Sequence, residues 1–426
     1  MRSTWTRNRI VVLAGVLILL PGLLLASGLD AFAKKPVKPP PVPEPTAEGL
    51  LFFVHTGSGL VQTLWRMNAD GSGMVEQAVS LPTGHLPGNY VDYCISNASY
   101  GSATPGANYW IFYFDAIWDT ATEPPTLERY PDGTARLEIF AARVDGEGGA
   151  IQLTNDVNFQ HAPQQRVSIS PDDGMLAFNG IHAFTTDAEG TVVPDEAGIH
   201  AIDLTWTDGK PQAGTDRTLL STIEWWIGAR DWTDEDGVEH HYAFAAPLRD
   251  LDWSGDGTQL VAGRVTQAGN GIEVRIITPD WENATATDPG DFTDVALLHL
   301  VWDETEGSMV LVPFGAFPRW SPTTDQILFS ENPNDGPIGI SVITPDGEAD
   351  YEPLIAPTVT RNTTTSTGQY SAWSPDGTQF AYTAVTTKRN SSASTVSIYD
   401  IDTGGVQDTD AAPPGYVIVA WRPELP

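Results

Sequence analysis

Residues 373–382, WSPDGTQFAY, contain a ten-residue phrase that the chain repeats. The phrase returns as WSGDGTQLVA at 253–262, as WSPTTDQILF at 320–329 and as ISPDDGMLAF at 169–178. In all four copies an apolar triplet begins seven residues after the leading Trp or Ile. Recurrence at this spacing predicts a repeat architecture, so the number of domains does not follow from chain length.

The residue types in the phrase predict a β-hairpin. Serine accepts backbone hydrogen bonds at the start of a turn, proline presets φ for the next position, and Asp-Gly completes the turn. The residues before the phrase then end one strand, and the apolar triplet lies in the next strand. We expect the large Trp that opens the phrase to pack between neighbouring sheets.

A second phrase follows each copy of the first and predicts a third strand, a turn and a fourth strand. Apolar runs lead into turn-forming residues at 199–204, 274–277, 340–343 and 396–399. Together the two phrases describe units of four antiparallel strands, which are the blades of a β-propeller.

The two ends of the chain hold complementary halves of one unit. Residues 51–54 and 64–73 read as middle strands and a turn, whereas 419–423 read as a first strand with nothing after it. We therefore expect an all-β, six-bladed propeller over 49–426, closed by pairing of its N- and C-terminal strands, which removes two exposed sheet edges. The expected blades are 414–426 with 49–86, then 88–155, 160–222, 246–301, 312–357 and 367–412.

The N-terminal segment predicts export. A basic head with three arginines precedes an apolar run over 10–26, and 31–33 (AFA) is a small-x-small cleavage pattern. Residues 1–33 are therefore expected to be a signal peptide or a membrane anchor, and both leave the rest of the chain outside the cytoplasm. The Pro-rich stretch 34–48 is expected to be an extended linker. The propeller would then be periplasmic, secreted or held at the membrane by this segment alone.

The composition excludes several classes of partner and site. Twenty-two Lys and Arg against 55 Asp and Glu give a net charge of −33, which would repel nucleic acid and anionic lipid headgroups. Cys94 is the single cysteine of the sequence, which excludes an internal disulfide and a cysteine-based zinc site. Hydrophobic residues make up 41% of the chain, which is enough apolar material for a large core.

The phrases WSPDG at 373–377 and MNADGS at 67–72 resemble those of the TolB-like propeller repeat, also called the WD40-like or PD40 repeat. The resemblance covers 49–426 and implies a propeller that binds partners, although a fold does not fix a function. Some members of the family carry a peptidase domain after the propeller, and TolB itself carries a small α/β domain before it. Neither domain is expected in this sequence.

Long inserts on a rigid ring are expected to carry recognition residues. Trp225, Trp226 and Trp232 lie in the insert 222–246. Exposed indoles there would bind a sugar or a protein surface, and buried ones would fix the insert to the ring. The other inserts are at 97–108, 115–135, 183–197 and 358–369, the last expected to be a polar loop.

Five further residues are candidates for the channel at the centre of the ring. His161 precedes the phrase of blade three by eight residues, near the expected start of an inner strand. Arg249, Asp250, Tyr370 and Tyr416 lie at comparable offsets and would share the channel mouth. Metal-dependent polysaccharide lyases related to PD40 propellers place histidines in the channel, so the resemblance implies that a divalent cation could bind there. A lone histidine such as His161 can equally serve packing or hydrogen bonding.

The sequence contains no recognisable catalytic motif. A Gly-x-Ser-x-Gly elbow and a Gly-rich phosphate loop are both missing, and His240-His241 lacks the spacing of a zinc protease. We therefore expect a non-enzymatic binding or scaffold propeller without a cofactor, engaging a protein or glycan partner of the cell envelope. The alternative is a metal-dependent, lyase-like carbohydrate-active enzyme, which needs at least three His or carboxylate ligands converging in the channel.

Overall fold

The computed structural model describes most of the chain from residue 49 onward. The described residues contain no α-helix, and no helix in them is long and apolar enough to cross a membrane. The segments 1–33 and 34–48, for which we predict export and a linker, lie outside the described residues. Those residues are 49–56, 62–81, 93–98, 100, 109–129, 135–155, 159–161, 167–186, 192–221, 230–233, 239–242, 248–265, 272–285, 290–291, 293–297, 300–303, 308–311, 315–331, 338–345, 354–360, 363–388, 391–409 and 416–423.

Blade one contains strands from both ends of the described chain. Its members are β1 (Leu50–Thr56), β2 (Gln62–Asn68), β3 (Val75–Ser80) and β31 (Tyr416–Arg422). The order across the sheet is β3-β2-β1-β31. β31 runs antiparallel to β1 and places Trp421 opposite Leu51.

Blade two begins with a strand that carries no recognisable phrase. The blade consists of β4 (Tyr93–Ile95), β5 (Trp110–Ala116), β8 (Leu137–Arg143) and β9 (Ile151–Gln152). Its predicted insert at 115–135 forms a small separate hairpin, β6 (Trp118–Asp119) with β7 (Thr126–Leu127). The insert therefore adds strands beside the blade rather than an irregular loop.

Blade three is extended at its hairpins. It comprises β10 (Phe159–His161), β11 (Ser168–Ile169), β12 (Met175–Thr186), β13 (Val192–Thr207) and β14 (Lys210–Ser221). The predicted insert 183–197 lengthens the β12–β13 hairpin, in which Thr186 pairs with Val192. The insert 222–246 supplies β15 (Arg230–Thr233) and β16 (Glu239–Tyr242) to the same sheet.

The last three blades follow the two-phrase pattern. Blade four holds β17 (Leu248–Trp253), β18 (Leu260–Val265), β19 (Ile272–Thr278) and β20 (Thr293–Leu297), followed by a separate hairpin of β21 (Leu300–Asp303) and β22 (Ser308–Leu311). Blade five holds β23 (Gly315–Trp320), β24 (Ile327–Glu331) and β25 (Gly339–Ile343). Blade six holds β26 (Thr358–Val359), β27 (Thr363–Trp373), β28 (Gln379–Lys388), β29 (Ser391–Asp400) and β30 (Val406–Thr409).

One expectation about blade six is wrong. Residues 358–369 were expected to be a polar loop, but Thr358–Val359 pairs with the start of β27, and β27 begins at Thr363. The threonines of this stretch are β-branched, and such residues fit a pleated strand even where the surface is polar. Low hydrophobicity is therefore a poor guide to loops in this chain.

The apolar core lies between the blades. Six buried clusters of the described residues each contain side chains from two neighbouring blades. Together they connect blade one to blade two, blade two to blade three, and so on round to blades six and one. Trp253, Trp320, Trp373 and Trp421 each lie in the cluster shared with the preceding blade. The predicted packing of this Trp between sheets is confirmed, and so is the all-β, six-bladed propeller.

The hairpin phrase folds as its residue types predict. In blade six the Ser374 hydroxyl donates to Asp376 Oδ1 at 2.6 Å and accepts from the amide of Gln379 at 3.0 Å. Gly377 adopts φ 70°, which glycine reaches without strain, and its amide donates to the carbonyl of Ser374 at 2.9 Å. The turn thus fixes where each inner strand ends.

Blade two contains a buried ion pair. The Glu138 side chain is 0% exposed and accepts from Arg136 Nε at 3.0 Å and Nη2 at 2.9 Å. Its second oxygen accepts from the Thr154 hydroxyl at 2.6 Å. Arg136 also reaches Glu128 and Asn155, so its charge has acceptors on several sides. Buried ions are tolerated when paired and hydrogen-bonded in this way.

Candidate functional site

A cavity of about 280 Å³ lies between the first hairpins of blades two to six and the end of β31 in blade one. The first, inner strand of each blade ends at this level of the ring. The space is far above the ~10–15 Å³ that one water molecule needs. One residue that follows the first strand of each blade lines it: Asn97, Pro171, Gly255, Pro322, Pro375 and Pro423.

The blade hairpins approach one another closely around this cavity. Gly255 stands where other copies of the phrase carry proline, and a Cβ at this position would overlap the carbonyl oxygen of Pro322 in the next blade. Between the neighbouring blades two and one, the Tyr109 hydroxyl donates to the carbonyl of Pro423. These contacts fix the rim of the cavity by backbone geometry.

Four tryptophans frame the cavity without exposing their rings. Trp253, Trp320, Trp373 and Trp421 are only 3–6% exposed. Trp253 Nε1 donates to the carbonyl of Ser168 at 3.0 Å, and Trp373 Nε1 donates to the carbonyl of Arg319 at 2.9 Å. Each of these two bonds ties a blade to its predecessor, so the indoles hold the ring together rather than forming an open stacking surface.

The residue before each tryptophan decides what the cavity offers to a ligand. It is Asp252 in blade four, Arg319 in blade five, Ala372 in blade six and Ala420 in blade one, and all four line the cavity. The two alanines leave space. The two charged residues are on adjacent blades and give the site its polarity.

Asp252 joins three blades. Its Oδ1 accepts from the Ser168 hydroxyl of blade three at 3.1 Å. Its Oδ2 accepts from the backbone amide of Trp320 in blade five at 3.0 Å. Both carboxylate oxygens are therefore engaged within the ring, which makes Asp252 a structural acceptor at the cavity wall.

Arg319 is placed very differently. The residue is 3% exposed, and its Nη1 donates to the carbonyl of Pro318 at 2.6 Å. Its Nε and Nη2 are buried and find no acceptor in the described part of the chain. Burying a charged donor without an acceptor is costly, because the group loses its hydration and gains nothing in return.

Arg422, the second cation of the cavity, is already engaged. Its Nε donates to the carbonyls of Ser96 at 3.0 Å and Ile95 at 3.1 Å, and its Nη2 donates to Ile95 at 2.7 Å. These bonds attach the last strand to the hairpin of blade two. Of the two guanidinium groups, only that of Arg319 keeps a two-donor edge available.

Asp173 of blade three fixes the neighbouring hairpin of blade two. It is 1% exposed and accepts from the amides of Asn97 at 2.7 Å and Ala98 at 2.8 Å, and from the Tyr100 hydroxyl at 3.0 Å. Burial raises the pKa of Asp173 even though these bonds favour the ionised form. Trp206 completes the contact by stacking on Tyr100 with ring centroids 3.6 Å apart. This group positions Asn97 at the rim.

The inner strands carry β-bulges three residues before the tryptophans. There the inner strands of blades four, five and six are bulged, at Asp250, Phe317 and Tyr370. Asp250 has φ 61° and Phe317 has φ 59°, and a positive φ is unusual for a residue as bulky as phenylalanine. The Phe317 and Tyr370 rings pack at 4.6 Å between centroids. The bulge level is thus a distinct, strained feature of the inner strands.

The sequence-predicted channel residues are spread over several strands. Tyr370 lies against Phe317, Asp250 is buried, and neither lines the cavity. His161, Arg249 and Tyr416 lie in β10, β17 and β31 respectively. Their side chains are outside the described part of the structure, so their shared role at a channel mouth stays a prediction.

The predicted insert site is described only in its backbone. Trp232 lies in β15 opposite His240 of β16, and Trp225 and Trp226 fall outside the described residues. Binding by these tryptophans stays a prediction.

Sequence reasoning missed Asp252 and Arg319, although a signal was present. The position before the repeated Trp reads Asp, Arg, Ala and Ala in blades four, five, six and one. A charge at a position that is alanine in other copies marks a departure from the repeat. Comparison of the copies at this position would have singled out the two residues.

The described side chains contain no group of three or more His, Cys, Asp or Glu placed to hold a metal ion. The side chains of His161, His240 and His241 lie outside this set. The divalent cation of the lyase-like alternative therefore stays a prediction.

Comparison with known proteins gives fold-level likenesses only. No family model and no curated protein sequence matches the chain. Among solved structures, it is similar to TolB from Acinetobacter baumannii (13% identity, TM-score 0.41, covering 88% of this chain and 66% of that one). It is also similar to a putative TolB from Agrobacterium tumefaciens (11% identity, TM-score 0.38, covering 89% of this chain and 99% of that one). A third similar structure is an oligogalacturonate lyase from Vibrio parahaemolyticus (12% identity, TM-score 0.36, covering 86% of this chain and 73% of that one). Such low scores carry no argument about function, and the propeller assignment rests on the chain's own sheets.

Proposed function

We propose that the chain is a non-enzymatic binding or scaffold propeller that works outside the cytoplasm and holds a protein or glycan partner at the hairpin end of its channel. The observation that carries the proposal is the cavity itself. All six blades contribute to its wall, and a buried guanidinium edge borders it. Fixed walls suit recognition, because a preformed site loses little entropy on binding.

Filling the cavity tests the proposal. Ala420→Phe places a large ring in the space that Ala420 leaves, and Val359→Phe is the matched control on an edge strand, where Val359 is 64% exposed. Each full chain would be immobilised and incubated with an envelope extract that has been gently crosslinked. We expect the wild type and Val359→Phe to capture the same partner and Ala420→Phe to lose it. Capture that is equal in all three chains, with Ala420→Phe folded by circular dichroism, would overturn the cavity assignment.

The exported location is part of the proposal and has its own test. It rests on the basic head, apolar run and cleavage pattern of residues 1–33. Alkaline phosphatase, which is active only where its disulfides form, would be fused after residue 426. We expect activity with the full chain and none after deletion of 1–33. Activity that survives the deletion would contradict export by this segment.

We also propose that the pairing of β1 with β31 closes the ring. The support is the antiparallel register from Leu50–Arg422 to His55–Tyr416 and the apolar cluster shared by blades six and one. Closure by complementary chain ends removes free sheet edges, which would otherwise promote aggregation. A chain truncated before residue 416 lacks β31, so it should expose the free edge of β1 and elute as aggregates in size-exclusion chromatography.

A further inference from the structure

We propose that Arg319 is the anchor for a single carboxylate, carried by an acidic residue of a peptide segment of the partner. The inference rests on the proposed function and names the chemistry of the group that enters the cavity. It starts from a buried cation whose Nε and Nη2 have no acceptor among the described residues.

The guanidinium of Arg319 presents one complete binding edge. Nη1 is engaged by the carbonyl of Pro318, whereas the buried Nε and Nη2 have no acceptor among the described residues. Nε–H and Nη2–H lie side by side and point the same way. A carboxylate accepts both in a bidentate arrangement, whose charge-assisted bonds are about twice as strong as neutral ones.

The charges around the cavity favour one anion with one negative charge. Arg422 directs its donors to the carbonyls of Ser96 and Ile95, so it adds positive potential without a second binding edge. Asp252 engages both of its oxygens within the ring and opposes an incoming anion. With two cations and one carboxylate in the wall, one further carboxylate brings the charges into balance.

The aromatic residues of the cavity favour a peptide over a sugar acid. A sugar ring is usually held by an open aromatic face. The four tryptophans that frame the cavity are 3–6% exposed and packed between blades, so they offer no such face. Prolines and alanines contribute to the wall between the charged residues, and an extended peptide can lie against them.

The binding test uses three small probes and the full chain in isothermal titration calorimetry. The probes are acetyl-alanyl-glutamyl-alanine amide, its glutaminyl analogue and methyl glucuronide. We expect the glutamyl peptide to bind, the glutaminyl peptide to bind at least about tenfold more weakly, and added salt to weaken the glutamyl complex. No binding of the glutamyl peptide at millimolar concentration overturns the proposal. Equal or tighter binding of the glucuronide overturns the assignment to a peptide.

Variants separate the anchor from a structural role. Arg319→Met and Arg319→Gln should reduce glutamyl-peptide binding at least about tenfold, and Asp252→Asn should increase it. Arg143→Gln is the matched control, because Arg143 pairs with Asp145 and Glu147 at a blade surface and does not line the cavity. Wild-type affinity in Arg319→Met overturns the anchor.

Thermal stability gives an independent readout. A guanidinium kept for ligand binding leaves two of its nitrogens without acceptors in the free protein, so Arg319→Met should leave the Tm unchanged or raise it. A large fall in Tm would instead show that Arg319 serves the fold. If capture by the Ala420-dependent cavity persists in Arg319→Met, the cavity function stands and the carboxylate anchor fails. If no chain captures a partner, the proposed function itself fails.

Discussion

Replacing Asp173 by asparagine should destabilise the protein by about 2 kcal/mol. The residue is 1% exposed and accepts hydrogen bonds from the amides of Asn97 and Ala98, the Asn97 side chain and the Tyr100 hydroxyl. Its φ of 58° is one that asparagine also adopts readily, so the substitution changes the chemistry and not the backbone.

The magnitude follows from the donors that lose an acceptor. Asparagine keeps one carbonyl oxygen, which can serve Asn97, and places an NH₂ group beside the Ala98 amide and the Tyr100 hydroxyl. The hydroxyl can rotate and accept, but the Ala98 amide cannot, and an unsatisfied buried donor costs about 1–3 kcal/mol. The remaining bond to Asn97 loses its charge assistance. Removal of a buried charge lowers the desolvation cost and offsets part of this loss. The expected decrease in the free energy of unfolding is therefore roughly 2 kcal/mol.

Urea denaturation of Asp173→Asn, followed by intrinsic tryptophan fluorescence, gives the free energy of unfolding. Asp172→Asn is the matched control, because Asp172 is adjacent and exposed, and it accepts only within its own hairpin, from Ser170 Oγ and the Gly174 amide. We expect the control to change stability much less than Asp173→Asn. Losses that agree within about 0.5 kcal/mol would refute the argument that the inter-blade contact carries the difference.

Three further predictions concern other parts of the ring. Glu138→Gln should cost about 3–5 kcal/mol in urea unfolding, because it leaves Arg136 buried with its main acceptor neutralised, and a loss below about 1 kcal/mol would contradict that. Gly49→Ala should lower the Tm, since Gly49 has φ 148° and a Cβ there would overlap Trp421 Nε1; an unchanged Tm would argue against tight contact between the chain ends. Serine hydroxyls lower the pKa of two hairpin aspartates below 3.8, so their stabilisation is present above that pH and lost as the pH falls through the lowered values. These aspartates are Asp172 and Asp256. The Tm of the double variant Asp172→Asn, Asp256→Asn should therefore depend less on pH than that of the wild type below about pH 4.

Much of the fold could be predicted because its determinants are local. The serine, aspartate and glycine of 373–382 form the turn through bonds within six residues, as in Gln379 to Ser374. Such contacts recur wherever the phrase recurs, so the hairpins of blades three to six follow from the repeats. Blade two was harder to predict, because β4 ends at Ile95 without the phrase and its hairpin is held by Asp173 from another blade.

The candidate site could not be found in the same way, because it depends on residues distant in sequence. The sequence alone determined that four-stranded units repeat, where each inner strand turns, and that large side chains at the end of those strands are buried between sheets. Only the tertiary structure decided that Arg319 would border a cavity lined also by Ala420, and that its Nε and Nη2 would lack acceptors while Arg422 found two carbonyls. The physical reason is that turns are set by neighbours in the chain, whereas the satisfaction of a buried charge is set by whichever strands the ring brings around it.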